Sequence, residues 1–246
     1  MSRFLLICLI VMLIVSCSVN PVTGQRDFTL LSVGEEVSIG EKNFAPARQA
    51  QGGDYYVDME LQRYVSDVGL KLAAVADNRQ LPYEFKVLNN SVPNAWALPG
   101  GKIAINRGLL LFLRDEAQLA AVLAHEMVHT AARHSAIQIT RGSMMQLGSS
   151  FLSAQAEGST YKSFADLAVS LGGTAWMARY RRSDELEADL YGMRYMARAG
   201  YEPVAAVELQ QTFLALAGKA ETQESWFNTL FSSHPPSLKR VSANQM

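Results

Sequence analysis

Two of the four histidines in this 246-residue chain stand four apart, in His125-Glu126-Met127-Val128-His129. On an α-helix, residues i and i+4 lie about 40° apart in projection, so both imidazoles face one place, and Glu126, about 100° from His125, sits beside them. Two nitrogen ligands flanking a carboxylate are what metal-assisted hydrolysis requires: the imidazoles hold a cation and Glu126 takes a proton from water. The bland alternative is a buried histidine pair that holds no metal. A hydrolytic zinc site also needs a third protein ligand and an open position. His134, five residues after His129, is about 140° round a continuous helix; it points away and reads as structural. In Ser183-Asp184-Glu185-Leu186-Glu187-Ala188-Asp189, Glu185 and Asp189 share one helix face while Glu187 falls on the far side. Glu185 is thus a candidate ligand, with Asp189 accepting the free N–H of a ligating histidine. An acidic first helical turn is also ordinary dipole complementation, so the spacing leaves this assignment open.

The elements that must position these residues are legible along the chain. Ser32 with Glu35 three residues later predicts a capping box opening a helix to about Gln49, ended by Gly52-Gly53. Leu61, Val65, Val68, Leu72 and Val75 predict an amphipathic helix over 57–76. Tyr83–Leu88 reads as a strand, and Asn94–Ile105 as two strands joined at Pro99-Gly100-Gly101, a small antiparallel sheet beside the motif helix. Asp115 caps that helix, which is expected to run to about Ser135. Residues 137–180 predict two helices separated near Gly158, as core or as a lid. Ser183 opens a helix ending at Gly200, Pro203 opens the next, and Pro235-Pro236 introduces a last short one. The fold class is therefore α+β, mainly helical.

Composition bounds the setting. Phe4–Val15 is an apolar run too short to span a bilayer and suited to a signal-peptide core. Ile14-Val15-Ser16-Cys17 resembles a bacterial lipobox, which would make Cys17 the acylated first residue and membrane anchor; an ordinary signal peptide cut nearby is the alternative. The division is then 1–16 lipoprotein signal peptide, 17–31 lipidated N-terminus and extended lead, and 32–246 one zinc metallopeptidase domain. Cys8 leaves with the signal, so no disulfide is available. The formal net charge of −1 excludes nucleic acid as an expected partner.

Taken together, Asn20-Pro21-Val22-Thr23-Gly24, Asn94-Ala95-Trp96-Ala97-Leu98-Pro99-Gly100-Gly101, the His125–His129 motif, Glu185-x-Glu187-Ala188-Asp189, and His234-Pro235 with Arg240 resemble the HtpX/CAAX prenyl protease type of zinc metallopeptidase, and within it a soluble periplasmic lipoprotein branch. Where that family often has Phe after Asn-Ala, this chain has Trp96. The resemblance implies a zincin-like domain with one zinc ion per chain, Glu185 as third ligand, Asp189 in support, and His234 and Arg240 approaching from the C-terminal segment. His234 would then stabilise the transition state with Arg240, or occupy the open metal position as a latch. The hairpin at Asn94, Ala95, Trp96 and Ala97 either offers an edge to an extended substrate or only closes the sheet. The expected activity is zinc-dependent endoproteolysis of unfolded or misassembled envelope proteins, facing the periplasm from an outer-membrane lipid anchor, with outer-membrane assembly machinery as a partner. A chaperone-like assembly factor with dormant proteolysis is the alternative, and zinc hydrolysis of a non-peptide substrate a third. Without a transmembrane chamber, prenylated substrates are not expected.

Overall fold

The computed structural model describes residues 17–154, 180–220, 234–236 and 238–244. The expected signal peptide over 1–16 and the helix break near Gly158 lie outside them.

Two short strands come first, β1 (Cys17–Val19) and β2 (Arg26–Phe28), paired antiparallel. Helix α1 (Val33–Ala50) opens with the expected capping box: Glu35 N–H donates to Ser32 Oγ at 3.2 Å and Ser32 N–H to the Glu35 carboxylate at 2.7 Å. Asp58 caps α2 (Met59–Ala73) by accepting from the backbone of Glu60 and Leu61, and Val65, Val68 and Leu72 form its buried stripe.

Strands β3 (Glu84–Leu88), β4 (Ala95–Leu98) and β5 (Lys102–Asn106) form one sheet in the order β3-β5-β4. The sheet is mixed, where the pattern predicted antiparallel pairing throughout. β4 and β5 are the expected hairpin, with Gly100 and Gly101 at φ 76° and 84°, a backbone conformation suited to glycine. β3 pairs parallel with β5, from Glu84 opposite Lys102 to Leu88 opposite Asn106. The short loop 89–94 reverses the chain, so β3 and β4 run opposite ways. The hairpin then lays β5 between them, and a strand antiparallel to β4 must run parallel to β3.

After α3 (Arg107–Leu110), Asp115 accepts from Gln118 N–H at 2.8 Å and opens α4 (Glu116–Ala131), which carries the metal motif. Leu119, Ala120, Leu123, Ala124, Met127, Val128 and Ala131 are all buried. A helix buried on nearly every side is central, and α4 packs against α2, the sheet, and α6 (Arg182–Arg198). α4 stops short of the expected Ser135. Arg133 takes φ 63° and α5 (His134–Ala154) departs in a new direction. A side chain in this conformation costs about 1–2 kcal/mol, and Arg133 is held there by a buried ion pair with Glu36, the Leu31 carbonyl at 2.5 Å and the Ser18 hydroxyl. The chain ends with α7 (Val204–Ala220) and α8 (Leu238–Asn244), and α8 packs on α6 and α7. Among the described residues, no helix is long and apolar enough to cross a membrane.

Candidate metal centre

Three segments converge at one end of α4: α4 itself with His125, Glu126 and His129; α6 with Glu185 and Asp189; and the C-terminal segment with His234 and, on α8, Arg240. Gly192 allows the close approach of the first two. A Cβ there would lie 3.3 Å from the His125 nitrogen and 3.4 Å from the Ala124 carbonyl carbon, so a methyl group would need a shift of a few tenths of an ångström and a bulkier side chain a larger one. Glu185 and Asp189 precede Gly192 on the same side of α6 and therefore face the motif.

His125, His129, Glu185 and His234 each offer one ligand atom, all within 4.8 Å of one another. His125 Nε2 lies 3.1 Å from His129 Nε2, 3.6 Å from Glu185 Oε2 and 3.2 Å from His234 Nδ1. Glu185 Oε1 lies 3.4 Å from His129 Nε2 and 2.9 Å from His234 Nδ1. Zinc ligands at 2.0–2.1 Å on tetrahedral corners are about 3.3 Å apart, so these residues fit a four-coordinate zinc. Two further observations agree. Glu126 Oε2 is buried without a hydrogen-bond partner, and Glu185 Oε2 is buried without an aligned hydrogen bond, although Arg240 Nη1 stands 2.8 Å away as an ion-pair partner.

The surroundings set the protonation states. The outer nitrogen of His125, Nδ1, meets Asp189 Oδ1 at 3.0 Å. Arg240 grips both Asp189 oxygens at 2.7 Å. Burial alone would raise the Asp189 pKa, but Arg240 and His125 outweigh it and hold the carboxyl well below its usual range. Glu185 behaves likewise: burial opposes its charge, and His234, His129 and His125 keep it ionised. Burial drives the His129 pKa well below 6.5, so its ring is neutral, the state a metal ligand needs. Burial would also lower His234, but the Glu185 and Glu126 carboxylates lift it to about 9 in the metal-free cluster. His234 Nε2 lies 3.5 Å from Glu126 Oε1, so one imidazole touches both the ligand cluster and the candidate base.

The sequence reading missed Tyr180 and misdirected His134. Tyr180, buried, stacks on His129 with ring centres 3.7 Å apart and 14° between planes, its hydroxyl 3.0 Å from Ser135 Oγ. His134 does not point away. The break at Arg133 swings it back until its Nδ1 is 2.9 Å from His129 Nδ1, and Glu187, expected on the far side of its helix, meets His134 Nε2 at 3.3 Å. A positive φ at an arginine leaves no sequence signature, so a continuous helix was the default.

Asn94, Ala95, Trp96 and Ala97 lead into and form one of the two outer strands of the three-stranded sheet, and all four are buried. Ala95 borders an apolar cavity of about 70 Å³ beside Glu126 and His234, walled by Val122, Met193, Met196, Leu209 and Phe213. Trp96 points to the other face, edge-on to Phe44 at 5.8 Å.

The profile of peptidase family M48 matches residues 60–245. The chain is 28% identical over 229 residues to the "Beta-barrel assembly-enhancing protease" of Escherichia coli O157:H7, covering 91% of this chain and 44% of that protein. It is 31% identical over 224 residues to the "Mitochondrial metalloendopeptidase OMA1" of Schizosaccharomyces pombe, covering 90% and 63%. The match to the similarly named protease of Vibrio cholerae is 30% over 205 residues, covering 80% and 41%. The chain thus spans less than half the length of these bacterial relatives.

Proposed function

The chain belongs to peptidase family M48, and from that premise we propose that it is a zinc-dependent endopeptidase with His125, His129 and Glu185 as metal ligands and Glu126 as general base. The observation that carries this reading is the cluster of four ligand atoms within 4.8 Å of one another beside an unpartnered buried carboxylate oxygen. A zinc ion, when bound, would supply Lewis acidity toward a water and the scissile carbonyl. The remaining work falls to the protein's own groups. Glu126 accepts the water proton at Oε2 and returns it to the leaving amine. Asp189 holds the His125 Nδ1 proton so that Nε2 presents its lone pair inward. Arg240 neutralises Asp189 and Glu185 together and ties α8 to α6. Apolar walls around the cavity receive a nonpolar substrate side chain and keep water from the reacting bond.

His234 Nδ1 lies 3.2 Å from His125 Nε2 and 2.9 Å from Glu185 Oε1, so it would compete with water for a metal held by His125, His129 and Glu185. This favours its role as a latch that closes the resting site, to be swung away when substrate enters. A His234→Ala variant that retains zinc and cleaves an unfolded polypeptide faster than the wild type supports the latch; a large loss of activity with zinc retained would instead support transition-state stabilisation.

The names of the relatives at 28–30% identity speak of β-barrel assembly, and the substrates we propose are unfolded or misassembled envelope and outer-membrane proteins. Among the described strands β4 pairs with β5 alone, and an extended chain that reached its buried outer side would add as a further strand through main-chain bonds, tolerant of side-chain sequence. Anchorage through a lipid on Cys17, facing the periplasm from the outer membrane, and contact with the outer-membrane assembly machinery complete the proposal. Metal analysis and digestion of an unfolded substrate with and without chelator test the chemistry. Glu126→Gln should keep zinc and lose about 10²–10⁴ in rate. If that variant keeps full cellular function and the wild type cleaves nothing, the assembly-factor alternative stands instead.

A further inference from the structure

The asparagine of Asn20-Pro21-Val22-Thr23-Gly24 lies outside the residues matched by the family profile, yet its side chain ends a hydrogen-bonded path to the metal cluster. Asn20 is buried, and its Oδ1 accepts from the backbone of Val22 at 2.9 Å and Thr23 at 3.3 Å. Those contacts fix the amide orientation, leaving Nδ2 to donate to Glu187 Oε1 at 3.0 Å and to Asp27 Oδ2 at 3.3 Å. The same Glu187 oxygen lies 3.3 Å from His134 Nε2. A carboxylate only accepts, so Nε2 carries the His134 proton and Nδ1 is left as an acceptor. His134 Nδ1 faces His129 Nδ1 at 2.9 Å, so the His129 proton sits on Nδ1 and the lone pair of its Nε2 points at His125 and Glu185. Each proton is placed by elimination, starting from one carboxylate.

We propose that Asn20, Glu187 and His134 form a positioning chain for His129, so that the N-terminal lead, a few residues after Cys17, is a working part of the metal site. The two imidazole ligands are then supported differently: His125 by a carboxylate directly, His129 by a carboxylate acting through a second imidazole. The inference rests on the zinc-site reading above. It also gives the positive φ at Arg133 a purpose, since only the break there returns His134 to His129, and Arg133 is itself held by Ser18 and Leu31 of the same lead.

Zinc affinity of the full chain, measured by competition with a chromophoric chelator, tests this separately from activity. His134→Leu keeps the bulk but offers no acceptor, and should bind zinc about 10–100-fold more weakly, the usual effect of losing an outer partner. His134→Asn places an amide oxygen near the Nδ1 position and should recover most of that loss. Asn20→Asp keeps the turn acceptor but sets a carboxylate against Glu187 and Asp27, and should weaken zinc measurably, with little added effect in the His134→Leu background because the path is already cut. The visible spectrum of the cobalt(II)-loaded protein should change in His134→Leu and Asn20→Asp and much less in His134→Asn. Wild-type zinc affinity in His134→Leu would overturn the chain. Fully additive losses for Asn20→Asp and His134→Leu would remove Asn20 from it. If His134→Leu fails to fold, His134→Asn and Asn20→Asp still decide: equal losses in both would mean that packing, not the acceptor, sets the affinity. A wild-type protein that binds no zinc would sink the metal reading itself, a result distinct from all of these.

Discussion

Removing Arg240 is the sharpest test of how the site is held together. Its side chain is 12% exposed and the two carboxylates it touches, Asp189 and Glu185, are 2% exposed each. Truncation in Arg240→Ala leaves the buried Asp189 without its cation and Glu185 with the His234 imidazolium 2.9 Å away as its remaining one, and breaking a buried pair in this way costs about 3–5 kcal/mol. At this chain length each kcal/mol moves Tm by about 2–4 °C, so the metal-free variant should melt about 6–20 °C below the metal-free wild type. Zinc changes the sum in a specific way. The cation neutralises Glu185 but not Asp189, whose remaining donor is the His125 ring 3.0 Å away, so saturating zinc should narrow the gap by roughly half without closing it. Arg240→Lys keeps a charge but loses the two-pronged grip on Asp189, and should fall between. Scanning calorimetry with and without zinc reads all of these. A metal-free Arg240→Ala that melts within about 2 °C of the wild type would refute the reasoning.

Other expectations follow from neighbouring contacts. Burial pushes the Glu36 carboxyl up from 4.5 to about 7, with Arg133 only partly offsetting it. Its folded value exceeds its unfolded one, so its contribution is complete below pH 4.5 and is lost as pH rises through 7, by at most about 3 kcal/mol. Melts from pH 5 to 8 should show that decline, and Glu36→Gln should flatten it; an unaltered slope in the variant would assign the effect elsewhere. Tyr180→Ala should cost about 3–5 kcal/mol by emptying the space over His129, whereas Tyr180→Phe, which loses only the bond to Ser135, should cost about 1 kcal/mol. Equal losses in thermal or denaturant melts would mean that the stacked ring contributes nothing of its own. Gly192→Val should drive α6 from α4 and weaken zinc binding more than tenfold, with Gly192→Ala milder; competition with a chelator would expose the error if the valine variant bound zinc normally.

What the amino-acid sequence determined by itself is local. The four-residue spacing of His125 and His129, the capping box at Ser32, the cap at Asp115, the apolar stripe of α2 and the glycines between β4 and β5 each depend on neighbours within a turn or two, where periodicity and backbone preference act directly. The α+β class followed from those elements. Glu185 lay between local and distant evidence: spacing put it on a face with Asp189, resemblance named it as a ligand, and only the packing of α6 on α4 at Gly192 places it 3.4–3.6 Å from the imidazole nitrogens.

The tertiary structure decided the rest. β5 inserts between β3 and β4, which makes the sheet mixed. Arg133 leaves the helical region because Glu36, Leu31 and Ser18, all remote in sequence, outweigh its local preference. From that break follow the return of His134 to His129, the meeting of His134 with Glu187, and the link to Asn20. Helical periodicity can say which side chains share a face, but a turn held by contacts about a hundred residues away carries no trace in the residues that make it.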